Sequence, residues 1–116
     1  MKNQKVRRVV FYKNYFSNFF TKQRKKVKEK ILWTLRLVEQ FKHIPVEYFK
    51  HIEGTDGLYE LRVKQRTDIF RIFCFFDETN IIVIINGFQK KSQRIPKNEI
   101  EKAIKIMRKY YEEQKS

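Results

Sequence analysis

Leu58-Tyr59-Glu60-Leu61-Arg62-Val63-Lys64, then Gln65-Arg66-Thr67-Asp68, then Ile69-Phe70-Arg71-Ile72-Phe73-Cys74-Phe75-Phe76 is the stretch that decides the fold. Two runs rich in aromatic and β-branched residues flank a polar segment of turn size, the pattern of a hairpin. A second such segment, Asp77-Glu78-Thr79-Asn80, leads into Ile81-Ile82-Val83-Ile84-Ile85. That run is apolar on both faces, as a central strand would be. With four-residue loops, Arg62 stands opposite Arg71 and Lys64 opposite Ile69. In the second hairpin Phe76 then meets Ile81, and Arg71 meets Asn86. Side chains alternate between faces. One face collects Tyr59, Leu61, Val63, Phe70, Ile72, Cys74, Val83, Ile85 and Gly87, and helices should cover it. The other begins with the rows Leu58–Phe75–Ile82 and Glu60–Phe73–Ile84, and it ends on Arg62–Arg71–Asn86. A slip of one residue would send every side chain to the opposite face. The segregation of apolar rows supports this register.

Upstream, residues 6–12 read as a strand. Nothing breaks a helix from residue 13 to 42, where Phe16, Phe19 and Phe20, then Val27, Ile31, Leu35 and Val38 with Leu32, recur at helical spacing. Thr21-Lys22-Gln23 divides that stretch in two, and Pro45 closes it. Gly54-Thr55-Asp56-Gly57 is a loop. Downstream, Pro96 starts a helix with the stripe Ile100, Ala103, Ile104, Met107 and Tyr111, and Glu99 and Glu101 suit the dipole at its start. The order βααβββα predicts an α+β fold: an antiparallel sheet with helices mainly on one face. The length, 116 residues, fits a single domain over 1–116.

One cysteine excludes an internal disulfide and a multi-Cys zinc site. No apolar run reaches the ~18 residues of a membrane span, and the first residues lack a signal-peptide core. A soluble, cytoplasmic protein without membrane contact is expected. Neither nucleotide motifs nor metal-ligand clusters occur, so no cofactor or metal is expected. Asp56, Asp68 and Asp77 stand singly at turns.

Charge points to the partner. Lys and Arg number 27 against 13 Asp and Glu, a net charge of +14. Residues 1–50 carry fourteen of the cations and only three Glu, so most of the attraction for an anion lies there. Nucleic acid is the leading candidate and an acidic protein the other. The run Lys22, Arg24, Lys25, Lys26, Lys28 and Lys30 is either a solvated helix face or a track for phosphates. Two arginines abreast on a sheet destabilise it, so Arg62 and Arg71 invite a functional reading. With Lys64 and Arg66 beside them and Lys90 and Lys91 past the last strand, they form a cationic concavity suited to phosphate, whose oxygens match guanidinium forks. Glu60 on the same face is the acid that could neutralise them. Of the two histidines, His43 and His51, His51 could reach the rim, but a structural or surface role is the favoured reading for each. Trp33 reads as core, and Tyr110 and Tyr111 as core or partner contacts.

The segments Gly54 to Arg62, Phe70-Arg71-Ile72-Phe73, and Gly87-Phe88-Gln89-Lys90-Lys91-Ser92-Gln93-Arg94-Ile95-Pro96 together resemble the RelE/ParE superfamily of toxins, in its phage-derived, HigB-like branch. The resemblance implies a microbial-RNase-like fold and the toxin of a type II toxin–antitoxin pair, a metal-independent endoribonuclease that cuts mRNA in the ribosomal A site. It implies an antitoxin partner, acidic or of the helix-turn-helix, HigA-like kind. The family's basic strand position falls on Arg62, its next-strand arginine on Arg71, and its basic residue after the last strand on Lys90 or Lys91. Ile95 stands where many relatives carry a helix-capping Thr. On this reading Arg62 and Arg71 stabilise charge building on phosphorus. Lys90 or Lys91, with its pKa lowered by positive neighbours, is the base, with Lys64 next and Glu60 the acidic alternative. Lys64, Arg66, Lys22, Lys25 and Lys26 bind the strand. The alternatives are a gyrase-directed ParE-like toxin and a non-catalytic basic RNA- or DNA-binding module.

Overall fold

A computed structural model describes residues 5–78, 80–90 and 94–115. The elements run β1 (Arg8–Phe11), α1 (Tyr15–Phe20), α2 (Lys25–Gln40), β2 (Phe49–His51), β3 (Tyr59–Gln65), β4 (Asp68–Glu78), β5 (Ile81–Lys90) and α3 (Lys97–Gln114). The fold is α+β, with a five-stranded sheet in the order β1-β5-β4-β3-β2. Two features depart from the expected antiparallel βααβββα. β1 joins β5 in parallel, because α1 and α2 carry the chain across the sheet before it returns. β2 adds an edge strand of three residues, too short to leave a pattern in the sequence.

The helical stretch divides where expected. α2 buries Val27, Ile31, Leu35 and Val38, while Leu32 is left exposed. Its end is held by Arg7, whose guanidinium donates to the carbonyls of Val38, Phe41 and Lys42. Those carbonyls would otherwise lack partners, and the positive charge suits the negative end of the helix dipole. α3 follows Pro96 without a side-chain cap, as Ile95 implies. Among the described residues no helix is long and apolar enough to cross a membrane.

Helices cover both faces of the sheet rather than mainly one. Phe16, Val27, Ile31, Leu35 and Val38 pack on Leu61, Val63, Phe70, Ile72 and Cys74. Ala103, Ile106 and Met107 of α3 pack on Leu58, Phe73, Phe75, Val83 and Ile85 on the opposite side. Cys74 is buried as expected, and burial pushes its thiol pKa up.

The first hairpin has the expected register, with Lys64 opposite Ile69 and Arg62 opposite Arg71. Its turn is tighter than expected. Gln65 pairs with Asp68, which leaves Arg66 and Thr67 to reverse the chain, Arg66 with φ +59°. The second hairpin is corrected. Two bulges shift it, so that Cys74 meets Ile84, Ile72 meets Gly87 and Arg71 meets Phe88 instead of Asn86. One bulge sets Ile85 and Asn86 against Phe73, and the other leaves Asp77 extra on β4. Val83 and Ile85 therefore face α3, and Ile82 and Ile84 face α2, the reverse of the unbulged expectation.

Candidate active site

Alternation along β3 and β4 puts Glu60, Arg62 and Arg71 on the α3 side of the sheet, at the end that α3 leaves open. Arg62 and Arg71 are direct cross-strand partners. Arg71 is paired through its Nη1 with Glu60, and the two side chains are only 10% and 7% exposed. The Nε–H of Arg71 is buried without an acceptor among the described residues. Glu60 thus pairs with one of the two adjacent guanidinium groups and offsets part of the repulsion between them. Arg62 is half-buried, with no ion pair among the described residues, and its backbone N–H donates to the Tyr48 carbonyl. With Val46, Phe49 and Lys50 these three residues line a cleft of about 120 Å³.

Lys90 ends β5 one row beyond, opposite Ile69. Its ammonium has a pKa held below the usual lysine value, by burial first and then by the charges of Arg71 and Arg62. The alternative lysine, Lys91, lies outside the described residues. Phe88 takes the place expected for Asn86 beside Arg71 and stacks on Phe73 at 5.5 Å.

Arg62 also lines a second trough of about 470 Å³ with Lys30, Glu47, Tyr48, Lys64 and Arg66. Of the expected strand-binding residues, Lys64 and Arg66 therefore gather with Arg62. Lys26 sits in the adjoining trough that shares Lys30. Lys22 borders a separate hollow with Asn86 and Lys102. Lys25 is exposed on the first turn of α2 and lines neither trough. Arg24 is tied to Asp68 at 2.9 Å.

The rim position considered for His51 and the core position expected of Trp33 do not hold, whereas Tyr110 packs on the core, one of its two expected roles. His51 pairs with Tyr59, on the sheet face away from Arg62, and its ring contacts the Thr55 carbonyl and the Tyr59 ring, so it does not reach the rim. Trp33 is not core: it is 43% exposed. Tyr110 and Tyr111 pack on Phe75, and their hydroxyls donate to the Asp77 carboxylate and the Phe76 carbonyl. Burial and the Asp77 bond push the Tyr110 pKa up to about 12. Tyr48 and Lys50 were missed, because only the unexpected strand β2 brings the segment after Pro45 alongside Arg62.

A sequence profile described as Phage derived protein Gp49-like (DUF891) matches residues 18–108, a span that includes Glu60, Arg62, Arg71 and Lys90. No curated protein matches the chain.

Proposed function

The chain belongs to the Gp49-like family of phage-derived proteins, a toxin-like family of the RelE kind found in toxin–antitoxin systems, and on that premise we propose that it is a ribosome-dependent mRNA endoribonuclease of the HigB-like branch. The observation that carries this reading is the cross-strand pair Arg62 and Arg71, with Glu60 on one flank and Lys90 on the other.

Cleavage begins when the ribose 2′-hydroxyl attacks the adjacent phosphorus. A new P–O2′ bond forms, the P–O5′ bond breaks, and the products are a 2′,3′-cyclic phosphate and a 5′-hydroxyl end. Lys90, in its free-amine form, takes the 2′-hydroxyl proton. The departing O5′ takes a proton from the Lys64 ammonium or from water. Arg62 donates to the phosphate oxygens as negative charge builds on them, and Arg71 adds a fixed positive charge behind it. Glu60 holds Arg71 rather than acting on substrate. No histidine joins this group, so orientation of the strand by the ribosome supplies what strong acid–base groups would otherwise add. Lys91 is the alternative base, and Lys26, Lys64 and Arg66 hold the phosphate backbone, while Lys22 and Lys25 stand outside both troughs.

The family implies an antitoxin partner. We take it to be of the helix-turn-helix, HigA-like kind, and the net charge of +14 suits an acidic face on it. Induced expression of the chain should arrest growth, and Arg62→Ala should relieve the arrest while the protein accumulates in soluble form. Full arrest by folded Arg62→Ala would remove Arg62 from the mechanism.

A further inference from the structure

β2 gives out at Phe49, so β3 runs on as an open sheet edge from Arg62, where the last bridging bond, Arg62 N–H to the Tyr48 carbonyl, is 2.8 Å long. Lys64 and Arg66 stand exposed along that edge. Across from it, α2 presents Lys26, Lys30 and Trp33. The larger trough, about 470 Å³, runs from Arg62 to Lys30, and the adjoining one, about 370 Å³, runs from Lys30 to Trp33. Glu47 and Glu29 are the acids on these walls, against five cations.

Trp33 is the one tryptophan of the chain and is 43% exposed. Its ring meets Tyr48 edge-on at 5.8 Å, and the Lys30 ammonium lies 4.4 Å from its centroid. An indole with an aromatic neighbour and an ammonium over its ring, yet 43% exposed, has the two parts that bind single strands without sequence preference: a π surface for a base and charges for the phosphates on either side. A core role does not account for the exposure. A charge patch alone does not account for a tryptophan and a tyrosine set between the cations. Arg62 lines both the Glu60–Arg71 cleft and the larger trough, and Lys30 lines both troughs, so the three hollows adjoin one another in order from the cleft to the indole.

We propose that Trp33, buttressed by Tyr48, is a stacking platform for an unpaired base of single-stranded RNA, whose backbone follows Lys30, Lys64 and Arg66 from the Arg62 cleft. The inference deepens the nuclease reading and rests on it for the choice of RNA. A duplex has its bases stacked on each other and offers none to the indole.

The lone tryptophan makes the test direct. The purified chain is titrated with hexauridylate, with an abasic ribose-phosphate hexamer and with a 12-base-pair RNA duplex, reading indole fluorescence. Hexauridylate should quench saturably, and the other two should leave the emission unchanged. Lys64→Ala/Arg66→Ala should raise the concentration needed for half-quenching about tenfold at low salt. Trp33→Ala should weaken binding of a dye-labelled hexauridylate, read by anisotropy, about tenfold, with the thermal midpoint of the protein unchanged. Hexauridylate that binds without quenching, or equal quenching by the abasic chain or the duplex, would overturn the platform. So would quenching by poly-glutamate and not by RNA, which would assign the surface to an acidic protein. The readout is independent of cleavage: quenching by a chain that cuts no mRNA keeps the platform and ends the nuclease reading, and cutting without quenching does the reverse.

Discussion

Arg62 and Arg71 are neighbours with different burdens. Arg71 and Glu60 form a buried ion pair. Removing one member of such a pair leaves the other charged and out of water, at a cost of about 3–5 kcal/mol. Arg71→Ala should therefore lower the thermal midpoint sharply, and Glu60→Gln/Arg71→Gln should recover much of that loss without restoring toxicity. Thermal denaturation of the two variants checks this, and equal midpoints for Arg71→Ala and wild type would contradict a buried pair. On the proposed mechanism Lys90 sets the pH dependence. Its pKa lies below the ordinary lysine value, so the free amine gains population as pH rises, at lower pH than an ordinary lysine would allow. Cleavage of translated mRNA should rise with pH. Arg62→Gln removes one repelling charge, raises the Lys90 pKa and should shift that rise to higher pH, whatever it does to the maximal rate. A pH profile that does not move with Arg62→Gln would release Lys90 from the role of base. The Arg62–Arg71 adjacency was legible in the sequence, because one hairpin register fixes it. The Glu60 pairing was legible only as an alternative, since alternation assigns a face but not which charges touch.

Gly87 shows what the elements add. A Cβ built there would come within 2.8 Å of the Phe19 ring, at the point where α1 lies against β5. Phe19 also meets the Phe16 and Phe70 rings, so moving it aside disturbs those contacts. Gly87→Ala should destabilise the fold by about 1–3 kcal/mol, the cost of overpacking, and a denaturant titration would read it. A midpoint equal to wild type would mean that α1 adjusts freely. The helices, β3 and the hairpin through β4 could be placed from periodicity and turn chemistry alone. The bulges at Asp77 and at Ile85–Asn86 could not, because a run such as Ile81-Ile82-Val83-Ile84-Ile85 is apolar on either face and carries no parity of its own. α3 was recognised as a helix, but its stripe does not say which face of the sheet it meets. The parallel β1 and the three-residue β2 were likewise beyond a one-dimensional pattern. The tightening of the first turn left the register intact, so the site kept its shape where the second hairpin did not.

At the scale of the whole molecule, the sequence placed most of the positive excess in residues 1–50, and the fold brings part of it, Lys26 and Lys30, beside the cations of β3. The result is a run of cations from α2 across the open edge of β3 to Arg62, with Lys90 near enough to feel the charges of Arg62 and Arg71. A path of this kind grips a phosphate backbone and loses affinity steeply with salt. On the proposed mechanism its acid–base groups are lysines, and presentation of the strand by the ribosome would supply the orientation the chemistry needs. The measurement that bears most directly on this account is a transcriptome-wide map of 5′-hydroxyl mRNA ends after brief induction of the chain, run beside Arg62→Ala. New ends should be confined to translated reading frames with the wild-type chain and be absent with Arg62→Ala. Growth arrest with intact mRNA, or identical end maps from the two chains, would contradict it.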